Sequence, residues 1–167
     1  MNNLSFHITD ITANSIRANA SEIGLSVEEQ DTRIVIRITD NGSGMDAETA
    51  RRVTNPFYTT RTTRKVGLGL PFLIQNAEQT GGSVTLTSEP GKGTEVRAVF
   101  HSDHIDCPPW GDLPGTVALL ITGNPEINVC FEYRSGETGY SISTNEIKEI
   151  LDGVPLSYPK VMLLIKE

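Results

Sequence analysis

Apolar and polar positions in the first part of the chain recur with the period of an α-helix. Five small or apolar side chains share one stripe at helical spacing, namely Leu4, Ile8, Ile11, Ser15 and Ala18. This pattern predicts a helix over residues 4–20. Ser5 is its expected N-cap, because a serine hydroxyl can accept a hydrogen bond from a first-turn amide.

The pattern then changes to alternation and later returns to the helical period. Strands are predicted at residues 23–28, 33–39, 84–88 and 95–100, and helices at 46–53 and 68–80. Asp46 is the expected N-cap of the second helix, and Asn55-Pro56 ends it because the residue before proline avoids the helical region. Residues 58–67 are polar and basic without a period, which predicts a loop.

Beyond residue 100 the pattern is less regular. Residues 101–115 are rich in proline and aperiodic, which indicates either a linker or a packed irregular segment. Residues 117–121 form an apolar run that fits a strand or a helix. The remaining predicted elements are strands at 128–133 and 140–143, a helix over 144–151 with Thr144 as its N-cap, and a last short helix over 159–165.

Composition and charge narrow the classes of function. A length of 167 residues fits one domain or one domain with an appendage, and a net charge of −7 argues against nonspecific binding to nucleic acid or membranes. No apolar run approaches the length of a membrane span, and the first residues do not form a basic, apolar leader, so a cytoplasmic location is expected. Five of the fourteen basic residues nevertheless fall between residues 51 and 65. This cluster fits either a binding site for a local anion such as a triphosphate or an ordinary solvated loop.

The predicted first helix carries a polar stripe with useful chemistry. Asp10, Asn14 and Arg17 stand at i, i+4 and i+7, so they share one side of the helix beside the apolar stripe. An amide oxygen can ligate Mg²⁺, a carboxylate can deprotonate a nucleophile, and a guanidinium can bind phosphate oxygens. Taken alone, such a stripe is more often an ordinary solvated helix face.

Three further segments add to this chemistry. Asp40 precedes the glycine turn Asn41-Gly42-Ser43-Gly44. A carboxylate there can accept a hydrogen bond from an exocyclic amine. Taken alone, such a sequence is more often a turn without a binding role. Gly67-Leu68-Gly69 opens a helix, whose first backbone amides can bind phosphate. Gly91-Lys92-Gly93-Thr94 leads into a strand rather than a helix and is therefore not a P-loop.

In this order and spacing, the motifs resemble those of the histidine-kinase-like (GHKL, Bergerat-type) ATPase superfamily. That superfamily includes histidine kinases, type II topoisomerases, MutL-like repair proteins, anti-sigma-factor kinases and mitochondrial-type dehydrogenase kinases. The matching segments are residues 10–15 for the N box, 40–44 for the first glycine box, 55–57 for the F box, 67–69 for the second glycine box and 91–94 for the last conserved turn. The likeness covers residues 4–100.

The resemblance implies an α/β two-layer sandwich over residues 1–100, with ATP bound between the helical layer and a lid at 58–67, and a C-terminal α+β extension over 101–167 packed on the core. By this resemblance Asp40 would accept from the adenine amine with support from Thr94, while Asn14 would ligate Mg²⁺ and Arg17 would contact phosphate. The other implied nucleotide contacts are Gly42, Gly44, Phe57, Arg61, Arg64, Lys65, Gly67, Leu68 and Gly69.

Two features distinguish the chain within this superfamily. Asp10 stands where many histidine kinases carry asparagine or histidine, and where other branches carry a glutamate general base; it keeps the charge but is one methylene shorter, which limits its reach. The lid is short, as in the kinase branch.

The tail around Cys107-Pro108-Pro109-Trp110 is similar to that of small stand-alone ATP-binding proteins of anaerobic bacteria, often found beside iron-only hydrogenase subunits.

The expected function is a protein kinase acting in trans on a partner, of the anti-sigma or dehydrogenase-kinase type, with Asp10 as the base. The alternative is a non-catalytic, ATP-gated protein-binding switch. The expected partners are ATP and an unidentified protein, with a link to iron-only hydrogenase or a homodimer as candidates, and neither nucleic acid nor a membrane. No histidine looks like a presented phosphoacceptor, which favours a serine or threonine hydroxyl on another protein.

Histidine and cysteine residues elsewhere suggest weaker alternatives. His101, His104 and Cys107 stand at three-residue spacing, which is weak evidence for a metal without a second pair of ligands. His7, one turn before Asp10, could tune that carboxylate or could be a partly buried helix histidine, and the second interpretation is favoured. Relatives often have a helix or strand before the N box, so the tail is expected to fill that place in the core.

Overall fold

A computed structural model describes residues 3–54 and 69–151 of the chain. Within these ranges, no helix has both the length and the apolar character needed to cross a membrane. The elements, numbered in chain order, are α1 (Leu4–Arg17), β1 (Glu22–Gln30), β2 (Arg33–Asp40), α2 (Ala47–Thr54), α3 (Gly69–Gln79), β3 (Ser83–Glu89), β4 (Gly93–His101), α4 (Leu113–Gly123), β5 (Asn128–Ser135), β6 (Thr138–Ser143) and α5 (Thr144–Leu151).

The first helix begins at Leu4 as predicted, but its N-cap and its last residue differ from the sequence prediction. Its N-cap is Asn3, whose side-chain oxygen accepts a hydrogen bond from Phe6 N at 2.7 Å, so the prediction of Ser5 as the cap is wrong. Ser5 lies in the first turn, where its hydroxyl donates to the Trp110 carbonyl. The helix stops at Arg17 rather than at residue 20, because Asn19 adopts a φ of 62°, a left-handed conformation that asparagine tolerates.

Six strands form one mixed sheet in the order β3-β4-β2-β1-β5-β6. Neighbouring strands run antiparallel except β1 and β5, which run parallel. The register places Leu25 of β1 opposite Ile38 on one side and Phe131 on the other. All three side chains are buried, so an apolar row crosses the centre of the sheet and fixes its register.

Helices cover one face of this sheet, and the prediction of an α/β two-layer sandwich is confirmed. The core between the layers combines apolar side chains of both, including Leu4 and Ile8 from α1 and Phe100 from β4, none of them more than 1% exposed. Asp46 caps α2 as predicted, since its carboxylate accepts from Thr49 N at 2.8 Å.

The chain after β4 adds to the same sheet. Residues 117–121, whose pattern fitted either type of element, lie in α4, and Asp112 caps this helix by accepting from Gly115 N at 3.0 Å. The prediction of Thr144 as an N-cap is wrong. Ser143 Oγ accepts from Glu146 N at 3.2 Å, whereas the buried Thr144 hydroxyl accepts from Val129 N at 2.9 Å. The helix predicted over 159–165 lies outside the described residues.

The proline-rich segment between β4 and α4 is packed against the first helix rather than forming a free linker. Leu4 N donates to the Pro109 carbonyl at 2.8 Å and Ser5 N to the Trp110 carbonyl at 3.0 Å, which satisfies two amides of the first turn of α1. The Trp110 indole N–H donates to one carboxylate oxygen of Glu29, and the Tyr133 hydroxyl donates to the other at 2.8 Å. These contacts connect the segment, α1, β1 and β5.

Candidate functional site

A cleft of about 280 Å³ lies between α1, the adjoining end of the sheet and the glycine turn after β2. Its volume is near the lower end of the range for small-molecule sites, about 300–1,000 Å³. The described residues that line it are Ile11, Asn14, Ser15, Arg17, Ala18, Ile38, Asp40, Ser43, Gly44, Met45, Thr49, Leu70, Thr94 and Val96. Apolar side chains form much of its lining and polar groups are interspersed among them, an arrangement that suits a flat ring carrying hydrogen-bonding groups.

Asp40 is the central polar residue of this cleft. It ends β2 opposite Thr94 of β4, and two hydrogen bonds fix its carboxylate: Ser15 Oγ donates to Oδ2 at 2.6 Å and Gly42 N donates to Oδ1 at 2.9 Å. Each carboxylate oxygen has a second lone pair, so Asp40 can still accept from a ligand. A carboxylate held in one orientation in such a cleft can accept a hydrogen bond from an amino group on a bound ring.

Ser88 supports two residues of the cleft lining, Met45 and Thr94, although no sequence motif pointed to it and it does not itself line the cleft. Its hydroxyl accepts from Met45 N at 2.8 Å and lies 2.8 Å from the hydroxyl of Thr94. The register places Ser88 opposite Thr94, which in turn is opposite Asp40. The alternation of β3 carried the signal, because Ser88 falls on the same face as Val84 and Leu86.

Glycines allow the turns around the cleft to contact one another closely. Gly44 has a φ of +70°, and a Cβ there would lie 1.9 Å from the Glu89 carbonyl oxygen. Gly93 has a φ of +120°, and a Cβ there would lie 1.9 Å from the Asp40 carbonyl oxygen. Gly91 N donates to the Ser43 carbonyl at 2.7 Å. The glycine turn and the β3–β4 turn therefore lie so close together that neither Gly44 nor Gly93 has room for a side chain.

Asn41 anchors the glycine turn to the sheet, a role that no sequence motif predicted. Its side-chain oxygen accepts from Ser21 N at 2.9 Å and from Glu22 N at 3.0 Å, and its amide nitrogen donates to Ser21 Oγ at 2.9 Å. The partners are about twenty positions earlier in the chain, so no local pattern indicates this contact. The anchoring holds the turn that follows Asp40.

The polar stripe of α1 contributes Asn14 and Arg17 to the cleft, and Arg17 Nη2 donates to Asn14 Oδ1. Asp10 lies one turn before Asn14 and is half-buried, although it is not among the described residues that line the cleft. Burial raises the pKa of Asp10 above its usual value, and the positive charge of Arg17 opposes that rise. A carboxylate with a raised pKa is a stronger base than an ordinary aspartate.

Several predicted site residues cannot be placed in this cleft. The contacts expected from the lid and its borders, Phe57, Arg61, Arg64, Lys65, Gly67 and Leu68, lie outside the described residues. Gly69 is the first residue of α3, and Leu70 beside it lines the cleft.

The residues considered as a metal site, His101, His104 and Cys107, are not among the described residues that line this cleft. His104 is near Asp106, with 3.9 Å between Nδ1 and Oδ2. Within residues 3–54 and 69–151, no three side chains of the histidine, cysteine, aspartate and glutamate types lie close enough together to hold a metal ion. His7 is buried under the cleft and contacts Asn76.

Comparisons with known proteins agree with this geometry. Residues 3–104 match the family described as histidine kinase-, DNA gyrase B- and HSP90-like ATPases. The chain is 29% identical over 104 residues to the sensor histidine kinase YxdK of Bacillus subtilis (strain 168), covering 58% of this chain and 32% of that protein. It is 30% identical over 101 residues to sporulation kinase C of the same organism, covering 59% of this chain and 23% of that protein.

The chain therefore spans less than a third of the length of these two curated relatives. A solved structure, described as the N-terminal domain of a DNA repair protein, superimposes with a TM-score of 0.61 at 17% sequence identity, over 84% of this chain and 51% of that one. At that identity the likeness shows a shared fold.

Proposed function

The chain belongs to the family of histidine kinase-, DNA gyrase B- and HSP90-like ATPases, and from this premise we propose that it transfers the γ-phosphoryl group of Mg-ATP to a hydroxyl of a partner protein. The superfamily resemblance seen in the motifs is thereby confirmed, and the chain is an ATP-binding domain of the histidine-kinase-like type. The magnesium, the transfer step and the partner are the parts that we propose.

The observation that carries the proposal is the constrained carboxylate of Asp40. With Ser15 and Gly42 holding its two oxygens, Asp40 can accept from the exocyclic amine of adenine without reorganising. Guanine has a carbonyl oxygen at the equivalent position, which a carboxylate would repel. Adenine specificity therefore follows from one side chain, supported by the Thr94 and Ser88 hydroxyls beside it.

Asn14 is the residue that fits a magnesium ion. It lines the cleft, and its side-chain oxygen already faces a cationic group, the guanidinium of Arg17. Mg²⁺ prefers oxygen ligands and usually keeps several waters, so one protein oxygen together with phosphate oxygens is a sufficient set. When bound, the ion would neutralise charge on the phosphates. Arg17 would bind phosphate oxygens directly.

Asp10 would act as the general base. A serine or threonine hydroxyl of the partner would attack the γ-phosphorus while its proton passes to Asp10, and the bond from that phosphorus to the bridging oxygen would break to release ADP. The raised pKa of Asp10 supports this role. By the family resemblance, Arg61, Arg64 and Lys65 would neutralise charge on the transferred group.

A second function, an ATP-gated binding switch, is favoured by a different observation. The Pro109–Trp110 segment is hydrogen-bonded to the first turn of α1, the helix that also carries Asn14 and Arg17. A change in α1 on nucleotide binding would therefore reach the tail without any chemistry. Both functions use the same cleft, and they differ in whether phosphate leaves ATP.

The deciding experiment incubates the protein with γ-labelled ATP, alone and with lysate from its own organism, where proteins of the iron-only hydrogenase system are the first candidates. We expect acid-stable label on another protein and none on this chain. Asp10→Asn should keep ATP binding and lower transfer by roughly 10²–10⁴-fold, the usual contribution of a general base.

Asp40→Asn supplies the matched binding control, because it removes the carboxylate charge and keeps the shape. Its affinity for ATP should fall by roughly 10- to 100-fold, the effect of losing one hydrogen bond to a charged group. Acid-labile label on this chain would indicate a histidine acceptor and contradict the kinase proposal. Tight ATP binding without label anywhere would favour the switch, and equal affinity for GTP and ATP would contradict the role of Asp40.

A further inference from the structure

His7 forms a buried polar contact between α1 and α3. Its side chain is 1% exposed, and that of Asn76 on α3 is 5% exposed. The Asn76 Nδ2 atom lies 2.7 Å from His7 Nε2, which is a hydrogen bond between two helices that both contribute side chains to the cleft. The contact connects positions 69 residues apart in sequence.

The surroundings of His7 are otherwise apolar. Its ring centroid lies 5.1 Å from that of Phe72 and 6.4 Å from that of Phe100. Nδ1 has no hydrogen-bond partner among the residues that the structure describes. Burial lowers the pKa of His7 to about 4, so the imidazole is neutral near pH 7. A leucine would fill this space without the desolvation cost of an imidazole, so packing alone does not account for a polar pair here.

The pair lies directly beside the nucleotide cleft. A small cavity next to the His7 ring is lined by Ile11, Ile38 and Val96, and the same three side chains line the cleft. Leu73 of α3 lines the small cavity, and Leu70, nearly one turn earlier on α3, lines the cleft. One layer of side chains therefore separates the His7–Asn76 bond from the cleft, and a rotation of α3 about α1 would displace Leu70 in the cleft lining.

We propose that His7 and Asn76 are a positioning pair that fixes the orientation of α3 on α1 and thereby the shape of the nucleotide cleft. A hydrogen bond is directional, whereas apolar contacts tolerate sliding and rotation, so the pair selects one arrangement of the two helices. Neither residue touches the nucleotide. This inference rests on ATP binding in the cleft, and it concerns affinity for ATP rather than the transfer step.

The test compares ATP affinity, measured by calorimetry with Mg²⁺ present, with the melting temperature of each variant. His7→Leu and Asn76→Leu should each lower the melting temperature and weaken ATP binding by roughly 3- to 10-fold, since each breaks the buried hydrogen bond between the two helices. The double variant should lower the melting temperature by less than the sum of the two single variants, because both changes remove the same hydrogen bond, yet its affinity should stay low. His7→Gln, which can still bond to Asn76, should retain most of the affinity.

Thr80→Val is the matched control. Thr80 is also buried, and its hydroxyl accepts from His101 N at 3.1 Å, at the end of α3 that is remote from the cleft. It should lower the melting temperature without changing ATP affinity. Wild-type affinity in the double variant, or an equal loss of affinity in Thr80→Val, would overturn the positioning role. Failure of the wild type to bind ATP would overturn the proposed function as well, whereas tight binding by wild type and His7→Leu alike would overturn this inference alone.

Discussion

At the scale of single residues, the contact between Asn14 and Arg17 links the proposed magnesium ligand to the proposed phosphate-binding group. Arg17 Nη2 donates to the amide oxygen that is proposed as the magnesium ligand, and both side chains line the cleft. The same oxygen has two lone pairs, so a metal ion and the guanidinium can share it. The two side chains can therefore be separated experimentally by the dependence of ATP binding on Mg²⁺.

Asn14→Ala should weaken ATP binding in the presence of Mg²⁺ and have little effect in its absence, because the lost group is the metal ligand. Arg17→Met should reduce binding under both conditions by about 1.5–3 kcal/mol, as expected for a hydrogen bond to a charged group. Calorimetric titrations with and without Mg²⁺ measure both effects. An equal loss for Asn14→Ala in the two conditions would show that Asn14 does not hold the metal.

The lowered pKa of His7 predicts how the free energy of unfolding depends on pH. Its pKa is lowered to about 4 in the folded protein from an ordinary value of 6.5, so the unfolded chain binds more protons below pH 6.5. The free energy of unfolding should therefore fall as the pH drops from 6.5 to 4, by up to about 3 kcal/mol from this residue. Stability above pH 6.5 should not depend on His7 titration.

Urea unfolding at several pH values, for wild type and His7→Leu, isolates this contribution because other groups titrate equally in both proteins. Thr80→Val, a change at a buried side chain that does not titrate, should keep the wild-type slope. Parallel stability profiles for wild type and His7→Leu between pH 6.5 and 4 would contradict the assignment.

At the scale of elements, the glycine turn after β2 and the β3–β4 turn depend on each other. Gly44 and Gly91 have nearly the same φ, +70° and +79°, but only at Gly44 would a Cβ collide with backbone, 1.9 Å from the Glu89 carbonyl oxygen. At Gly91 a Cβ would meet nothing within 4 Å. Alanine substitutions at these two positions therefore distinguish the cost of a left-handed backbone from the cost of a collision between the two turns.

Gly91→Ala should cost about 1–2 kcal/mol of stability through backbone strain and leave ATP affinity unchanged. Gly44→Ala should incur the same strain and also displace the turn that follows Asp40, so ATP affinity should fall by more than roughly tenfold, in line with the loss of the Asp40 contact. Melting temperatures and calorimetry on the two variants give the comparison. Equal affinity in both would indicate that the turn adapts without moving Asp40.

The sequence predicted most elements and few of the contacts between them. Alternation and helical spacing are local, so the strands and helices of residues 3–54 and 69–101 follow from them, and Asp40 and Asn14 followed from motifs. Ser88, Asn41 and the β1–β5 pairing were not predicted, because their partners lie far away in the chain. The cap of α1 was misplaced because Ser5 bonds instead to Trp110, more than a hundred residues away.

At the scale of the whole molecule, β5 lies beside β1 in the interior of the sheet, although it follows the family match by more than twenty residues. Strand β1 thus has an antiparallel neighbour from the matched region and a parallel neighbour from the tail. The domain boundary predicted at residue 100 stays a prediction. Because β5 pairs with β1, the boundary can be tested by comparing the free energies at which the two parts of the chain unfold. A strand that completes the sheet should not unfold independently of it.

Hydrogen exchange should therefore show amides of β5, such as those of Val129 and Phe131, opening with the same free energy as amides of β1 and β2. These two side chains are 3% exposed or less and belong to the core. The edge strand β6 serves as an internal comparison, since its side chains are largely exposed. Exchange of β5 at a free energy several kcal/mol below that of β2 would show that the extension is a separate cooperative unit.

The position of Trp110 gives the protein a built-in optical signal. It is the only tryptophan in the sequence, and its indole N–H bonds to the carboxylate of Glu29 while its carbonyl accepts from the first turn of α1. Indole emission responds to the charge and water around the ring. Intrinsic fluorescence of the unlabelled protein should therefore report from a single, known place whether events at the other end of α1 reach the tail.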